Sequence, residues 1–222
     1  MPTLQVSLTF FGAALLLALA PGPDIIFVIT QAASRGRRTG FAVVSGLLTG
    51  VLGHTLAVAL GLAALLAASA AALTVLKWLG AAYLVYLAWG AWNAGALDPK
   101  AAQSNGAAGA GAVHASWLRL MSRGIIMNLS NPKVLLFFLA FLPQFVQPER
   151  GPAALQVIWF GLLFIVAGAL VFCTAVLLAD ALRTRLLRSA RVQRRLNRSA
   201  ALVFVGFALH LVFFAGSRSA AP

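Results

Sequence analysis

Charge is what this sequence has least of. Only 9% of its 222 residues are Asp, Glu, Lys or Arg, where a soluble domain carries roughly 25%. With 61% hydrophobic residues, such a chain has too few charges to cover itself in water, and lipid is its expected solvent. Cysteine is almost missing. Cys173 stands alone, which excludes an internal disulfide and a cysteine metal site, and its apolar surroundings mark it as a small packing residue. No His is followed by Glu, so the H-E-x-x-H motif of an intramembrane metalloprotease is absent. Of the four acids only Asp24 and Asp180 fall near apolar runs, at different depths, which argues against an aspartyl enzyme. No charge pattern suggests the rings of a channel. The apolar start Leu4–Ala20 closes on Ala18-Leu19-Ala20, like a signal peptide, but lacks the basic leader of one, since the first Lys or Arg is Arg35. It is read as the first span.

What the chain has is basic charge in short stretches between apolar runs. The net charge is +13. This pattern fits loops on anionic lipid and argues against nucleic acid. At about 20 residues per span, the length suits six spans without a soluble domain. The first apolar run is Leu4–Ala33. The second, Phe41–Leu76, has no charge and no proline over 36 residues. One helix of that length would measure about 54 Å against a core of about 30 Å, so it turns, with Ala67–Ala72 the expected place. Helix three ends in Tyr83, Tyr86, Trp89 and Trp92, the last two suited to the interface. Residues 95–116, rich in Ala and Gly, read as a flexible solvated loop. Helix four is expected near Arg123–Val146, helix five near Ala153–Leu178 and helix six at Ser199–Ala215. Loops 1–2, 3–4 and 5–6 then hold thirteen of the seventeen basic residues. The positive-inside rule places them in the cytoplasm and both termini in the periplasm. Loop 5–6, with seven arginines between Arg183 and Arg198, could lie on anionic lipid as an amphipathic helix or serve only as a topology anchor.

Two spans are interrupted. The first contains Pro21-Gly22-Pro23-Asp24 and the fourth Asn131-Pro132-Lys133. Proline removes a backbone donor and clashes with the preceding turn. Unpaired backbone persists in a membrane only where protein or a wet cavity satisfies it. Pro21 and Pro132 lie 111 residues apart, half the chain. Each falls in the first helix of a three-helix half, and three is odd, so the halves enter from opposite faces. That is the pattern of a 3+3 inverted repeat, whose broken helices mark the transport site. The fold class expected is all-α: a polytopic membrane protein of six helices, one transmembrane domain over 1–222 with halves 1–94 and 117–222.

Asp24 and Lys133 are the charges deepest within spans. A mid-bilayer charge normally faces a partner or a wet cavity. These two could pair with each other, or with the amino and carboxylate groups of a zwitterion. His54 lies mid-run in helix two. An imidazole titrating near pH 6.5 suits a proton relay, and a neutral histidine bonded to a neighbouring helix suits the same position. His210 reads as interfacial, His114 as a loop residue without signal, and Asp180 as a surface partner of Arg183.

These residues resemble a known family. Pro21-Gly22-Pro23-Asp24, then Arg35-Gly36-Arg37-Arg38 and Gly40, resemble the opening signature of the lysine-exporter (LysE/RhtB) family. Gly80-Ala81-Ala82-Tyr83-Leu84 with Tyr86-Leu87 and Trp89 resembles the end of its third helix. Asn128-Leu129 through Asn131-Pro132-Lys133, with Phe137-Phe138 and Phe141-Leu142-Pro143-Gln144-Phe145, resembles its fourth. The resemblance implies a six-helix exporter of amino acids, homoserine or homoserine lactone, of lysine, threonine or leucine type, driven by protons across the bacterial inner membrane. The expected translocation residues are Pro21, Gly22, Pro23, Asp24, Asn131, Pro132 and Lys133, with Asp24 and His54 for protons. Expected partners are an amino-acid substrate, protons and anionic lipid, with a homo-oligomer open, and neither cofactor nor metal.

Overall fold

A computed structural model of the chain describes residues 1–20, 22–68, 70–94, 116–179, 181 and 189–213. Pro21, most of the 95–116 loop with His114, Asp180, Arg183, Arg185, Arg188 and Arg218 lie outside the described residues. The fold is all-helical, with no strand among the described residues. In chain order the elements are α1 (Leu4–Leu19), α2 (Pro23–Arg35), α3 (Arg37–Ala68), α4 (Ala70–Asn93), α5 (Trp117–Leu129), α6 (Pro132–Leu136), α7 (Ala153–Leu177) and α8 (Ala190–Phe213). Among the described residues, three helices are long and apolar enough to cross a membrane: α3 over Arg37–Gly61, α7, and α8 over Gln193–Phe213. The number rises to five when each bent pair counts as one span.

Both expected breaks are present as bends. The α1–α2 pair turns by 60° and the α5–α6 pair by 51°. Local chemistry fixes each start. Thr3 Oγ1 accepts the Val6 N–H at 3.2 Å and caps α1. Pro23 opens α2 at a position where no N–H is missed. Gly36, at φ +89°, ends α2 in a conformation that favours glycine, and its N–H reaches Ala32 O at 2.9 Å. The chain then turns directly into α3.

Two expectations are corrected. Helix four does not start near Arg123. It begins at Trp117, capped by Ser116 Oγ on the Arg119 N–H, so Arg119 and Arg123 ride on helix. After α6 it loosens into a π turn, Phe137–Phe141, and a 3₁₀ turn, Leu142–Phe145, consistent with Pro143 withholding its N–H from the ladder. Helix six starts at Ala190, not Ser199. Arg191, Arg194, Arg195 and Arg198 are exposed while Gln193 and Ala200 are buried. Spacing of three and four gathers those arginines on one face, so charge that reads as loop is the wet flank of a helix. The turn expected in Ala67–Ala72 spans residue 69, which lies outside the described residues; α3 ends at Ala68 and α4 begins at Ala70.

Contacts between element ends sort the bundle into two faces. Arg37 Nη2 donates to Leu177 O at 3.3 Å, and Asn197 Nδ2 to Ala94 O at 3.4 Å. The Arg198 guanidinium stands 5.3 Å over the Trp92 ring. These contacts join the flanks of the three basic connections at one face. At the other, the N-terminal ammonium of Met1 donates to Arg150 O at 2.8 Å, and the Thr3 N–H to Gln147 Oε1 at 3.3 Å.

The core is two apolar clusters. One gathers phenylalanines: Phe10–Phe160, Phe137–Phe141 and Phe141–Phe207 have ring centroids 4.7, 4.9 and 4.9 Å apart. The other packs α2, α3 and α7 around Val28, Val43, Leu47, Phe172 and Val176. The tightest crossing is α3 on α5. A Cβ on Gly46 would strike Met121 O, and one on Gly124 would strike Val43 O. Glycine at both positions lets backbone touch backbone, the usual device of helices packed in lipid.

Candidate functional site

The first break begins with a missing donor. Residue 21 is proline, so the carbonyl of Leu17, four residues earlier, has no partner within its own helix. Lys133 supplies one from the other broken span. Its Nζ donates to Leu17 O at 3.3 Å and to Ala20 O at 3.2 Å. The same ammonium lies 3.3 Å from Asp24 Oδ2 and 3.5 Å from Oδ1. An ammonium has three hydrogens to give, and here it meets a carboxylate and two carbonyls. The side chains of Lys133 and Asp24 are 8% and 2% exposed, so water screens the pair little. Breaking such a buried pair costs about 3–5 kcal/mol, because the survivor is left as an uncompensated charge.

The backbone fits closely around the pair. A Cβ on Gly22 would lie 2.7 Å from Asp24 Oδ1 and 3.2 Å from Lys133 Nζ, so only glycine passes without displacing the charges. Asn131 Oδ1 accepts the Lys133 N–H at 3.0 Å and caps the start of α6 where Pro132 has no N–H to give.

The second break repeats the logic. Pro132 cannot pair with Asn128 O, four residues back. That carbonyl accepts the Asn131 N–H at 2.9 Å and meets His54 Nε2 at 3.2 Å. Since a carbonyl only accepts, this contact as a hydrogen bond requires His54 to carry a proton on Nε2. The His54 ring is buried, 5.7 Å from that of Phe138. At each break, then, the carbonyl that proline frees is engaged by a basic side chain from another helix.

Of the residues expected at the site, Gly22, Asp24, Asn131 and Lys133 come together, with Pro23 and Pro132 opening the helices that carry them. Pro21 lies outside the described residues. His54 is joined to the group only through Asn128 and does not line the space beside the ion pair. That space lies where the two core clusters meet and measures ≈ 10 Å³, about one water. Nothing much larger than a water fits there in this conformation. Sequence reasoning missed Asn128 and Gln31, buried amides whose Oδ1 and Oε1 have no hydrogen-bond partner, and the equally unpartnered Nδ2 of Asn131. Counting four residues back from each proline would have found Leu17 and Asn128.

The sequence model of the family described as LysE type translocator matches residues 15–214. A homoserine/homoserine lactone efflux protein of Salmonella typhi is 32% identical over 191 residues, 86% of this chain and 87% of that protein. A membrane protein of Vibrio cholerae is 32% identical over 203 residues, 91% and 94% of the two chains. A leucine efflux protein of Klebsiella pneumoniae is 28% identical over 207 residues, 92% and 93%. No solved structure matches the chain. A family match across nearly the whole chain agrees with the apolar bundle and its two broken helices: the chain is a membrane protein that belongs to the LysE type translocator family.

Proposed function

We propose that this protein exports zwitterionic amino acids, or close derivatives, from the cytoplasm across the inner membrane in exchange for protons. The observation that carries the reading is the buried Asp24–Lys133 pair tying one broken helix to the other. A zwitterion can insert into such a pair without changing the net charge buried. Its ammonium takes the acceptors that Lys133 now holds: Asp24, Leu17 O and Ala20 O. Its carboxylate takes Lys133. Each buried charge keeps a partner, which spares the penalty of carrying an unpaired ion through hydrocarbon. A proton arriving from outside competes with the cargo for Asp24. The carboxylate thus holds cargo or proton, and that alternation couples proton entry to amino-acid exit.

In this reading the halves 1–94 and 117–222 form a 3+3 inverted repeat of six spans, with α4 completing the set. The face joined by the basic connections is cytoplasmic and both termini are periplasmic. The efflux names of the Salmonella and Klebsiella relatives support the direction of transport. A second reading adds His54 to the proton path, favoured by its contact with Asn128, a residue that lines the space at the pair.

Proteoliposomes test the proposal. Purified protein should exchange labelled homoserine or leucine against the unlabelled amino acid, and a pH gradient should drive net accumulation. Asp24→Asn keeps an acceptor but cannot hold the exchanged proton. It should retain exchange and lose gradient-driven transport. Full pH-driven transport by Asp24→Asn would remove Asp24 from the coupling.

A further inference from the structure

Three polar residues line the space at the ion pair among the described residues: Asp24, Lys133 and Asn128. The charged two satisfy one another. Asn128 does not fit that account. It is 2% exposed, and its Oδ1 meets no donor. A buried acceptor left unmet is costly, and native proteins rarely keep one without a reason.

The fold holds this amide in place. Asn128 sits in the last turn of α5, two residues before the break. Its carbonyl is engaged by His54 and the Asn131 N–H, which anchors the residue from behind. Gly50 of α3 forms the wall beside it. A Cβ there would lie 2.7 Å from Asn128 Cβ and 2.8 Å from Oδ1, so any larger residue would push the amide aside. The remaining walls include Leu48, Val51, Val134 and Phe164, none of which carries a side-chain donor.

We infer that Asn128 reads the side chain of the cargo, its Oδ1 accepting a hydrogen bond from a side-chain hydroxyl. The inference rests on the exporter reading above. There, Asp24 and Lys133 take the α-ammonium and α-carboxylate. A neutral acceptor is then left over for a neutral donor. A cationic side chain would need a second counter-ion, and Asp24 is the only acid among the described residues that line the space. An apolar side chain would leave Oδ1 as unmet as it is now. A site built to hydrogen-bond a hydroxyl rejects the analogue that lacks it far better than an apolar pocket rejects a longer side chain.

Homoserine and norvaline form the probe pair, because norvaline replaces the hydroxyl by a methyl group. Counterflow by wild-type protein should favour homoserine by roughly tenfold or more, the scale of one unmet buried acceptor. Asn128→Leu should shrink that preference to within about twofold, through loss of homoserine transport, and continued norvaline exchange shows that the variant is folded. Gly50→Ala, which crowds the amide but adds no group to the site, should also reduce the preference. Equal transport of the two amino acids by wild type, or an undiminished preference in Asn128→Leu, overturns the inference and leaves the exporter reading standing. If Asn128→Leu carries neither, Gly50→Ala decides, and full preference there overturns the inference. Wild-type protein that exchanges no amino acid at all would defeat the exporter reading itself.

Discussion

The Asp24–Lys133 pair makes the strongest quantitative demand. Lys133→Met removes the ammonium and keeps most of the volume. Asp24, at 2% exposure, is then an unpaired buried carboxylate, and the Leu17 and Ala20 carbonyls lose their donor. The expected loss is about 3–5 kcal/mol, a fall of roughly 10 °C in Tm if the scaling for soluble chains of this size holds in detergent. Asp24→Asn leaves the ammonium with only neutral partners and should cost a similar amount. The double variant strands no charge. What it retains is the cost of two carbonyls without a donor, about 2 kcal/mol together. Singles and double should therefore differ from additivity by about 4 kcal/mol or more, beyond the roughly 0.5–3 kcal/mol usual for residues in contact. Reversible unfolding of the four proteins in mixed micelles at one pH measures this directly. Additivity within about 0.5 kcal/mol would mean the charges do not feel each other, and the account of the site would fall with it.

Three further outcomes are expected. Gly46→Leu or Gly124→Leu forces side chain into backbone at the α3–α5 crossing and should abolish a monodisperse folded protein in size-exclusion chromatography, while Gly90→Ala, with open space around it, should be neutral or stabilising by about 0.5 kcal/mol. His54→Phe removes a donor from Asn128 O but leaves the Asn131 N–H on it, so it should cost only about 1 kcal/mol; loss of gradient-driven transport with exchange intact would place the imidazole in the proton path. Single cysteines at Ser34, Ser104 and Ser189, in a Cys173→Ala background, should resist membrane-impermeant thiol reagents in intact cells and react after lysis, and labelling of all three in intact cells would invert the topology.

Much of the site was legible because its signals are chemical and sparse. Proline marks a break wherever it falls within a span, and a charge in an apolar run demands a partner. Pro21, Pro132, Asp24 and Lys133 therefore announce themselves. That Lys133 also takes Leu17 O and Ala20 O was not legible, because a contact across 116 residues has no local trace. Asn128 stayed hidden for a related reason: one amide in an apolar helix reads as ordinary until its oxygen is found unmet in a residue that lines the space at the ion pair. The start of α8 was misread because arginines on the exposed face of a helix look, in one dimension, like a loop. The Gly46–Gly124 crossing needed both helices in place before either glycine had meaning.

Holding freed carbonyls with side chains rather than with the helix ladder has a consequence in time. An acceptor engaged by an amine or an imidazole can change partner as fast as a side chain turns, where a ladder bond requires the helix to unwind. Rotamer motion runs from picoseconds to nanoseconds at exposed sites and slower in a core, whereas collective movements of packed helices take microseconds to milliseconds. Partner exchange at Leu17 O, Ala20 O and Asn128 O thus belongs to the fast regime. In the cycle proposed above, the slow event is the rocking of the bundle about contacts such as the Gly46–Gly124 crossing. A variant that alters only what engages these carbonyls, with Asp24 intact, should then change how long cargo stays bound in that proposed cycle, and leave the number of cycles per second at saturating cargo close to that of the parent.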